Sequence, residues 1–180
     1  MNHELMSRFV SRLTEVNGEC VTVESRVHLI ESLHQFMQQN RLEKLAISKN
    51  VFTPEETQII AESAEILIDF GTENISHAQA LELVSQAEVG ISRADGLIAE
   101  TGSVVLSSRH RGDRLCSTLP EVHIVIGLDC TVYPTAAEFY ADLNADLTHT
   151  LITGPSRTAD IEKKLVLGAH GPRRLIVFGN

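Results

Sequence analysis

Tryptophan is absent, and only two tyrosines and six phenylalanines occur in 180 residues. The core must therefore come from Leu, Ile and Val, which dominate an apolar fraction of 43%. That fraction fits a globular chain and excludes a disordered one. Cysteine is sparse. Cys20, Cys116 and Cys130 are far apart, and no pair has the spacing of a zinc or iron–sulfur site. An odd number of thiols, with Glu4, Arg8 and Arg12 interrupting the N-terminal apolar residues in place of a secretory signal, points to a reduced, cytoplasmic setting. The eight histidines show neither His-x-His nor His-x-x-x-His spacing, which argues against a metal site. No run approaches the roughly 20 apolar residues of a membrane span. No Walker loop, dinucleotide fingerprint or flavin fingerprint is present.

Positive charge is also short. The net charge is −9 and the pI is about 5.3, which argues against nucleic acid as a partner, because phosphate binding needs a basic surface. The deficit is uneven. Residues 1–100 hold 16 acids and 7 bases, whereas residues 101–180 hold 8 of each. A small anionic ligand is therefore expected on the second half of the chain.

Helical and strand patterns alternate. Leu5, Phe9, Leu13 and Val16 mark a first helix stopped at Asn17-Gly18. Val21 to Val23 suits a strand. A helix capped by Ser25 follows, with Leu29, Leu33, Phe36 and Met37 on its buried side. Leu45 to Ile47 is a second strand, and Thr53-Pro54-Glu55-Glu56 opens another helix. Ile66 to Phe70 fits either strand or helix, and Ser76 to Gln86 reads as helix. Short strands follow at Val89 to Ser92, Leu97 to Ala99, Val104 to Leu106 and Val122 to Ile126. Ala136 to Leu147 returns to helix, and Leu151-Ile152 is a strand. This alternation predicts an α/β fold with an open, largely parallel sheet flanked by helices. Residues 1–180 read as a single domain. At most the first helix, residues 1–17, is an appendage.

The C-terminal stretch from Gly154 to Phe178 reads as loop, helix, tight loop and buried strand. Ser156 or Thr158 can cap the helix, Asp160 and Glu162 suit its first turn, and Gly168 can end it. Arg157, with Ser156 and Thr158, can hold a carboxylate or phosphate; alternatively Arg157 pairs with Asp160 or Glu162. His170, Arg173 and Arg174 form a basic loop that either contacts an anion or acidic partner or is a helix-capping, solvated loop. Earlier, Glu100-Thr101-Gly102-Ser103 lies between two apolar runs, where open sheets place ligands. Glu100 reads as a base or covalent nucleophile, or as a carboxylate that caps or pairs within the turn. Gly102 permits close backbone approach. Arg114, near Ser117, is a candidate anion ligand, whereas Arg109 and Arg111 read as parts of a solvated loop around His110. His123 reads as a satisfied histidine in a strand, and Asp95 and Asp129 as turn residues.

Two blocks carry a family resemblance: Ala94 to Ser103 followed by Arg114 to Val125, and Gly154 to Phe178. Together they resemble the lactate-utilisation protein C family, also called the LUD-domain family, from about Val89 onward, roughly half of the chain. Cys116 is a departure, since the family usually shows small residues after the arginine. The resemblance implies the fold of the ribose-5-phosphate isomerase and CoA-transferase-like group. It also implies a role in L-lactate utilisation, lactate to pyruvate, alongside iron–sulfur partner proteins. With neither cysteine clusters nor a flavin fingerprint, no cofactor is expected in this chain, and the iron–sulfur clusters are expected in the partners. In the CoA-transferase relatives a glutamate in a similar Glu-x-Gly turn is the nucleophile. Three functions therefore stand open. The first is an accessory or ligand-binding subunit of the lactate system. The second is a stand-alone CoA-transferase-like or sugar-phosphate-isomerase-like enzyme using Glu100 with Arg157 or Arg114. The third is a non-catalytic adaptor.

Overall fold

The computed structural model describes residues 3–72, 75–143, 145–155, 157–159, 165–167 and 171–180. The first half alternates helix and strand: α1 (His3–Glu15), β1 (Glu19–Thr22), α2 (Arg26–Asn40), β2 (Lys44–Ile47), α3 (Pro54–Ala61), β3 (Glu65–Asp69), α4 (His77–Gln86) and β4 (Val89–Arg93). The helices start where the sequence provides side-chain acceptors for free N–H groups. Ser25 accepts from His28 N, and Thr53 with Glu56 and Ser76 with Gln79 form reciprocal capping boxes. Pro54 occupies the first turn of α3, where its missing N–H costs nothing. The ambiguous stretch at Ile66 to Phe70 is strand, because it pairs in parallel with β2.

The second half is strand-rich: β5 (Gly96–Ile98), β6 (Ser103–Ser107), α5 (Asp113–Cys116), β7 (Val122–Ile126), β8 (Thr131–Tyr133), α6 (Ala136–Ala141), β9 (His149–Ile152), β10 (Arg157–Ala159), β11 (Leu165–Leu167) and β12 (Arg174–Gly179). Helix α6 is shorter than its apolar pattern predicts. Asp142 leaves the helical conformation, and its carboxylate accepts from the Tyr133 hydroxyl at 2.8 Å. The helix expected between Ser156 and Gly168 is overturned at both described ends. Arg157, Thr158 and Ala159 pair antiparallel with Leu167, Val166 and Leu165. Local apolar spacing cannot separate a short helix from a hairpin; here the antiparallel ladder pairs the backbone of the two described ends. Ser156, Asp160, Ile161 and His170 lie outside the described residues.

The fold is α/β. Six parallel strands form the central sheet in the order β1-β12-β7-β4-β2-β3, flanked by helices. Strands β5, β6, β8 and β9 leave it to form a second, four-stranded sheet, β8-β5-β6-β9. Side chains alternate across the central sheet with period two. On one face Ile47, Ile91, Ile124, Ile126 and Phe178 pack beneath Leu29, Leu33 and Met37 of α2 and Ile60 of α3. On the other, Val125, Leu175 and Val177 pack against α1 (Met6, Phe9, Leu13) and against Leu97, Val104 and Leu106 of the second sheet. Farther along that face, Ala46 and Ile68 meet Ala80 and Val84 of α4 and Cys116 of α5. Among the described residues no helix is long and apolar enough to cross a membrane.

Candidate ligand-binding site

The strand order reverses between β2 and β4. From β2 the chain moves outward to β3, then returns to β4 and continues the opposite way through β7 to β12. Such a reversal leaves a crevice at the carboxyl ends of the strands. Ser48 follows β2 there, and Asp95 follows β4. The loop before α5 is tied across the crevice, with Lys49 N donating to Arg111 O at 2.9 Å and Ser48 Oγ 3.1 Å from the same oxygen.

Two glycines set α5 directly on the sheet. A Cβ on Gly90 would lie 2.0 Å from the Cys116 carbonyl oxygen, so only glycine lets α5 lie on β4. Gly112 has φ +94, and a Cβ there would meet the Phe70 ring at 2.2 Å. This close seating drives Asp113 inward until it is 2% exposed. Its Oδ1 accepts from the Ser48 hydroxyl, while Oδ2 is buried and has no hydrogen-bond partner among the described residues. Burial pushes the carboxyl up to about 7; the Ser48 hydrogen bond opposes the rise and the Asp95 charge adds to it. Asp113 can therefore gain or release a proton near neutrality. Beside it, Asp95 Oδ2 accepts from Ser107 N at 2.8 Å, and Asp95 Oδ1 lies 3.7 Å from His110 Nε2. The His110 Nδ1 is buried without a partner among the described residues, and burial lowers the pKa of the ring despite the neighbouring Asp95.

A groove runs from this cluster between α5 and strands β6 and β9. It consists of three adjoining cavities of about 330, 50 and 460 Å³. The first two share Ser107, Ser108 and Arg114; the second and third share Ser117 and Thr150. Asp113 lines the middle cavity. Arg114 is exposed on the groove, and among the described residues its guanidinium has no ion-pair or hydrogen-bond partner. Its backbone carbonyl accepts from Ser117 Oγ at 3.2 Å and Thr118 Oγ1 at 2.6 Å, which fixes the turn after α5. Behind the wall of the third cavity lies His123, fully buried, with Nε2 2.7 Å from Ser92 Oγ and Nδ1 without a partner among the described residues. Burial lowers its pKa to about 3, so the ring is neutral.

Of the sequence-predicted residues, Arg114 is on this groove and the Glu100 turn is not among its lining residues. Glu100 is exposed, and its carboxylate accepts from Ala136 N at 3.2 Å at the start of α6. Thr101 and Ser103 are linked hydroxyl to hydroxyl at 2.7 Å, and Ser103 reaches Thr153 at 2.7 Å. Gly102 has φ +67, and a Cβ there would come within 2.3 Å of Leu13 N, so the turn clasps α1. Thr153 lines the third cavity and is the link between that turn and the groove. Arg157 and Thr158 stand in β10; Ser156 and His170 lie outside the described residues. Arg173 pairs with Glu121 at 3.6 Å, and Arg174 holds Glu19 through two bonds of 2.8 Å. Sequence reasoning missed Asp113 and Ser48, and it read His110 as part of a solvated loop. The available signal was Gly112-Asp113, a glycine and an acid directly before the singled-out Arg114.

The sequence model of the LUD domain matches residues 6–178. The chain belongs to the LUD-domain family. A protein named Lactate utilization protein C from Macrococcus caseolyticus is 35% identical over 133 residues, 64% of this chain and 58% of its own length. One of the same name from Geobacillus kaustophilus is 38% identical over 104 residues, 53% of this chain and 43% of its own. The uncharacterized protein YkgG of Escherichia coli is 31% identical over 174 residues, 90% of this chain and 70% of its own. This LUD domain thus spans about half the length of the first curated relatives it matches. The crystal structure of a DUF162 family protein from Deinococcus radiodurans superposes with a TM-score of 0.66 at 20% identity, covering 98% of this chain and 96% of that one. At that identity the likeness speaks to the fold alone.

Proposed function

We propose that this LUD domain serves L-lactate utilisation, lactate to pyruvate, as a subunit that binds a small carboxylate in the groove beside α5. Arg114 carries the reading: an arginine without a partner among the described residues, next in sequence to a buried carboxyl poised near neutrality. A guanidinium binds a carboxylate through two parallel N–H donors. Protonated Asp113 lies beneath the same space without a negative charge, whereas its ionised form would repel the bound carboxylate. The hydroxyls of Ser117 and Thr150 line the same space. The names of the relatives support the pathway.

In this reading the domain binds and orients the acid in the cytoplasm, and Asp113 holds a proton at Oδ2. Oxidation of lactate to pyruvate releases two electrons and two protons; iron–sulfur clusters of partner proteins would take up the electrons, and the protons would pass to solvent. The cysteines of this chain favour that division of labour. All three are free, and burial pushes the thiols of Cys20 and Cys130 up to about 11 and about 12, away from the thiolate that metal ligation and nucleophilic attack require. Glu100, engaged with Ala136 N, has a positioning role at α6.

The test is thermal unfolding of the purified chain with L-lactate, pyruvate and a sugar phosphate. A ligand at about a hundred times its dissociation constant adds roughly 2.7 kcal/mol, which raises Tm by several degrees in a domain of this size. The expected result is a rise with L-lactate or pyruvate that Arg114→Ala abolishes. A rise with the sugar phosphate alone, or none with any ligand, contradicts the proposal.

A further inference from the structure

The central sheet carries α2 and α3 on the face opposite α5. Each helix packs one stripe on the sheet, Leu29, Leu33 and Met37 from α2 and Ile60 from α3. Apolar side chains also meet between the two helices. Ile30, Leu33 and Met37 of α2, with Ile59 and Ile60 of α3 and Ala64 just after it, line a cleft of about 220 Å³. Ile59 is 52% exposed at its edge, and Val27, one turn before Ile30 and Glu31, is 69% exposed and extends the apolar strip along α2. Single exposed apolar residues are ordinary, whereas a strip beside a cleft marks an interaction surface. Its rim is acidic. Glu31 lines the cleft, Glu55 and Glu62 stand four before and three after Ile59, and all three are exposed. No Lys or Arg lines the cleft, and Arg26 nearby is taken by Glu56 at 2.9 Å.

We propose that this cleft docks an amphipathic helix of a partner protein, with apolar residues at i, i+3, i+4 and i+7 and with Lys or Arg on its flanks. A helix seats its side-chain ridges in the groove between two others, and basic flanks answer Glu31, Glu55 and Glu62. Helix α2 spans 15 residues, about 22 Å, which accommodates a partner of three to four turns. The other occupants fit less well. Small-molecule pockets run to about 300–1,000 Å³, larger than this cleft. An added strand needs a free sheet edge, and here the backbone is paired within two helices. A second copy would set the same three carboxylates against each other. The cleft lies across the sheet from Arg114, so its use does not depend on carboxylate binding there.

The experiment is nitrogen-15 NMR of the intact chain titrated with three synthetic peptides. One is a helical leucine–lysine peptide with leucine at the four stated positions. The second replaces its lysines by glutamate, and the third breaks the lysine peptide with a central proline. The expected result is saturable shifts confined to α2 and α3 with the lysine peptide and none with the other two. Ile59→Ser, at an exposed position, should weaken that binding about tenfold. Glu31→Lys combined with Glu62→Lys should abolish it and admit the glutamate peptide, a swap that general attraction to an acidic protein does not produce. Shifts scattered over the surface, equal binding of the proline peptide, or no binding overturns the proposal. So does a dimer in sedimentation that Ile59→Ser dissolves, which makes a second copy the occupant.

Discussion

Replacing Asp113 by Asn should change how stability depends on pH. Asn keeps an oxygen for the Ser48 hydroxyl and has nearly the same volume, but it does not titrate. In the unfolded chain the Asp113 carboxyl ionises near its ordinary 3.8; in the folded chain burial holds it at about 7. Between these values the folded state binds more protons, so the carboxyl makes stability fall as pH rises. The fall begins near pH 4 and levels off above pH 7. At about 1.36 kcal/mol per pH unit the full difference is roughly 4 kcal/mol. With Asp113 2% exposed, solvent screening does not reduce it much. Urea unfolding of both proteins from about pH 4 to about pH 8 isolates the effect, because every other titrating group is common to the pair. The stability of wild type relative to Asp113→Asn should drop by about 4 kcal/mol across that range. Parallel curves would refute the burial argument and, with it, the poised carboxyl on which the site is built.

Gly90→Ala should cost about 3 kcal/mol, the upper end of overpacking penalties. The added methyl meets the Cys116 carbonyl oxygen, carbon and Cα at 2.0, 2.7 and 2.8 Å, and backbone cannot rotate away. Denaturant unfolding measures the loss, and a change below about 0.5 kcal/mol would mean that α5 is not seated on β4. Glu100→Gln should leave stability within about 0.5 kcal/mol and carboxylate affinity unchanged, because an amide oxygen still accepts from Ala136 N. A large loss of lactate binding in this variant would return Glu100 to the site.

The elements most legible in the sequence were those specified locally. Thr53-Pro54-Glu55-Glu56 and Ser76 with Gln79 are helix starts because the acceptors sit three residues from the N–H groups they satisfy. The Val/Ile run of β7 has the composition of a strand buried on both faces. What escaped depends on contacts between distant residues. Strands β5, β6 and β9 look like further members of the parallel sheet until their antiparallel pairing diverts them into a second one. The segment from Arg157 to Leu167 carries helix-compatible spacing, and only the pairing of its two described ends with each other identifies them as strands. Arg114 was visible because its charge stands inside a recognisable block. Asp113 was not, because its burial results from Gly90 and Gly112 admitting α5 against β4 and Phe70, contacts 26 and 42 residues apart in the chain. His123 was correctly placed in a strand, but that its Nδ1 has no partner among the described residues is visible only in three dimensions.

The central claim is a carboxylate held by Arg114 beside a protonated Asp113. Calorimetric titration of L-lactate and pyruvate into the chain at about pH 6 and about pH 8 tests it most directly. The account predicts saturable binding, about tenfold weaker at the higher pH as Asp113 gives up its proton, and lost in Arg114→Ala. Binding that is equal at both pH values and persists in Arg114→Ala would contradict it.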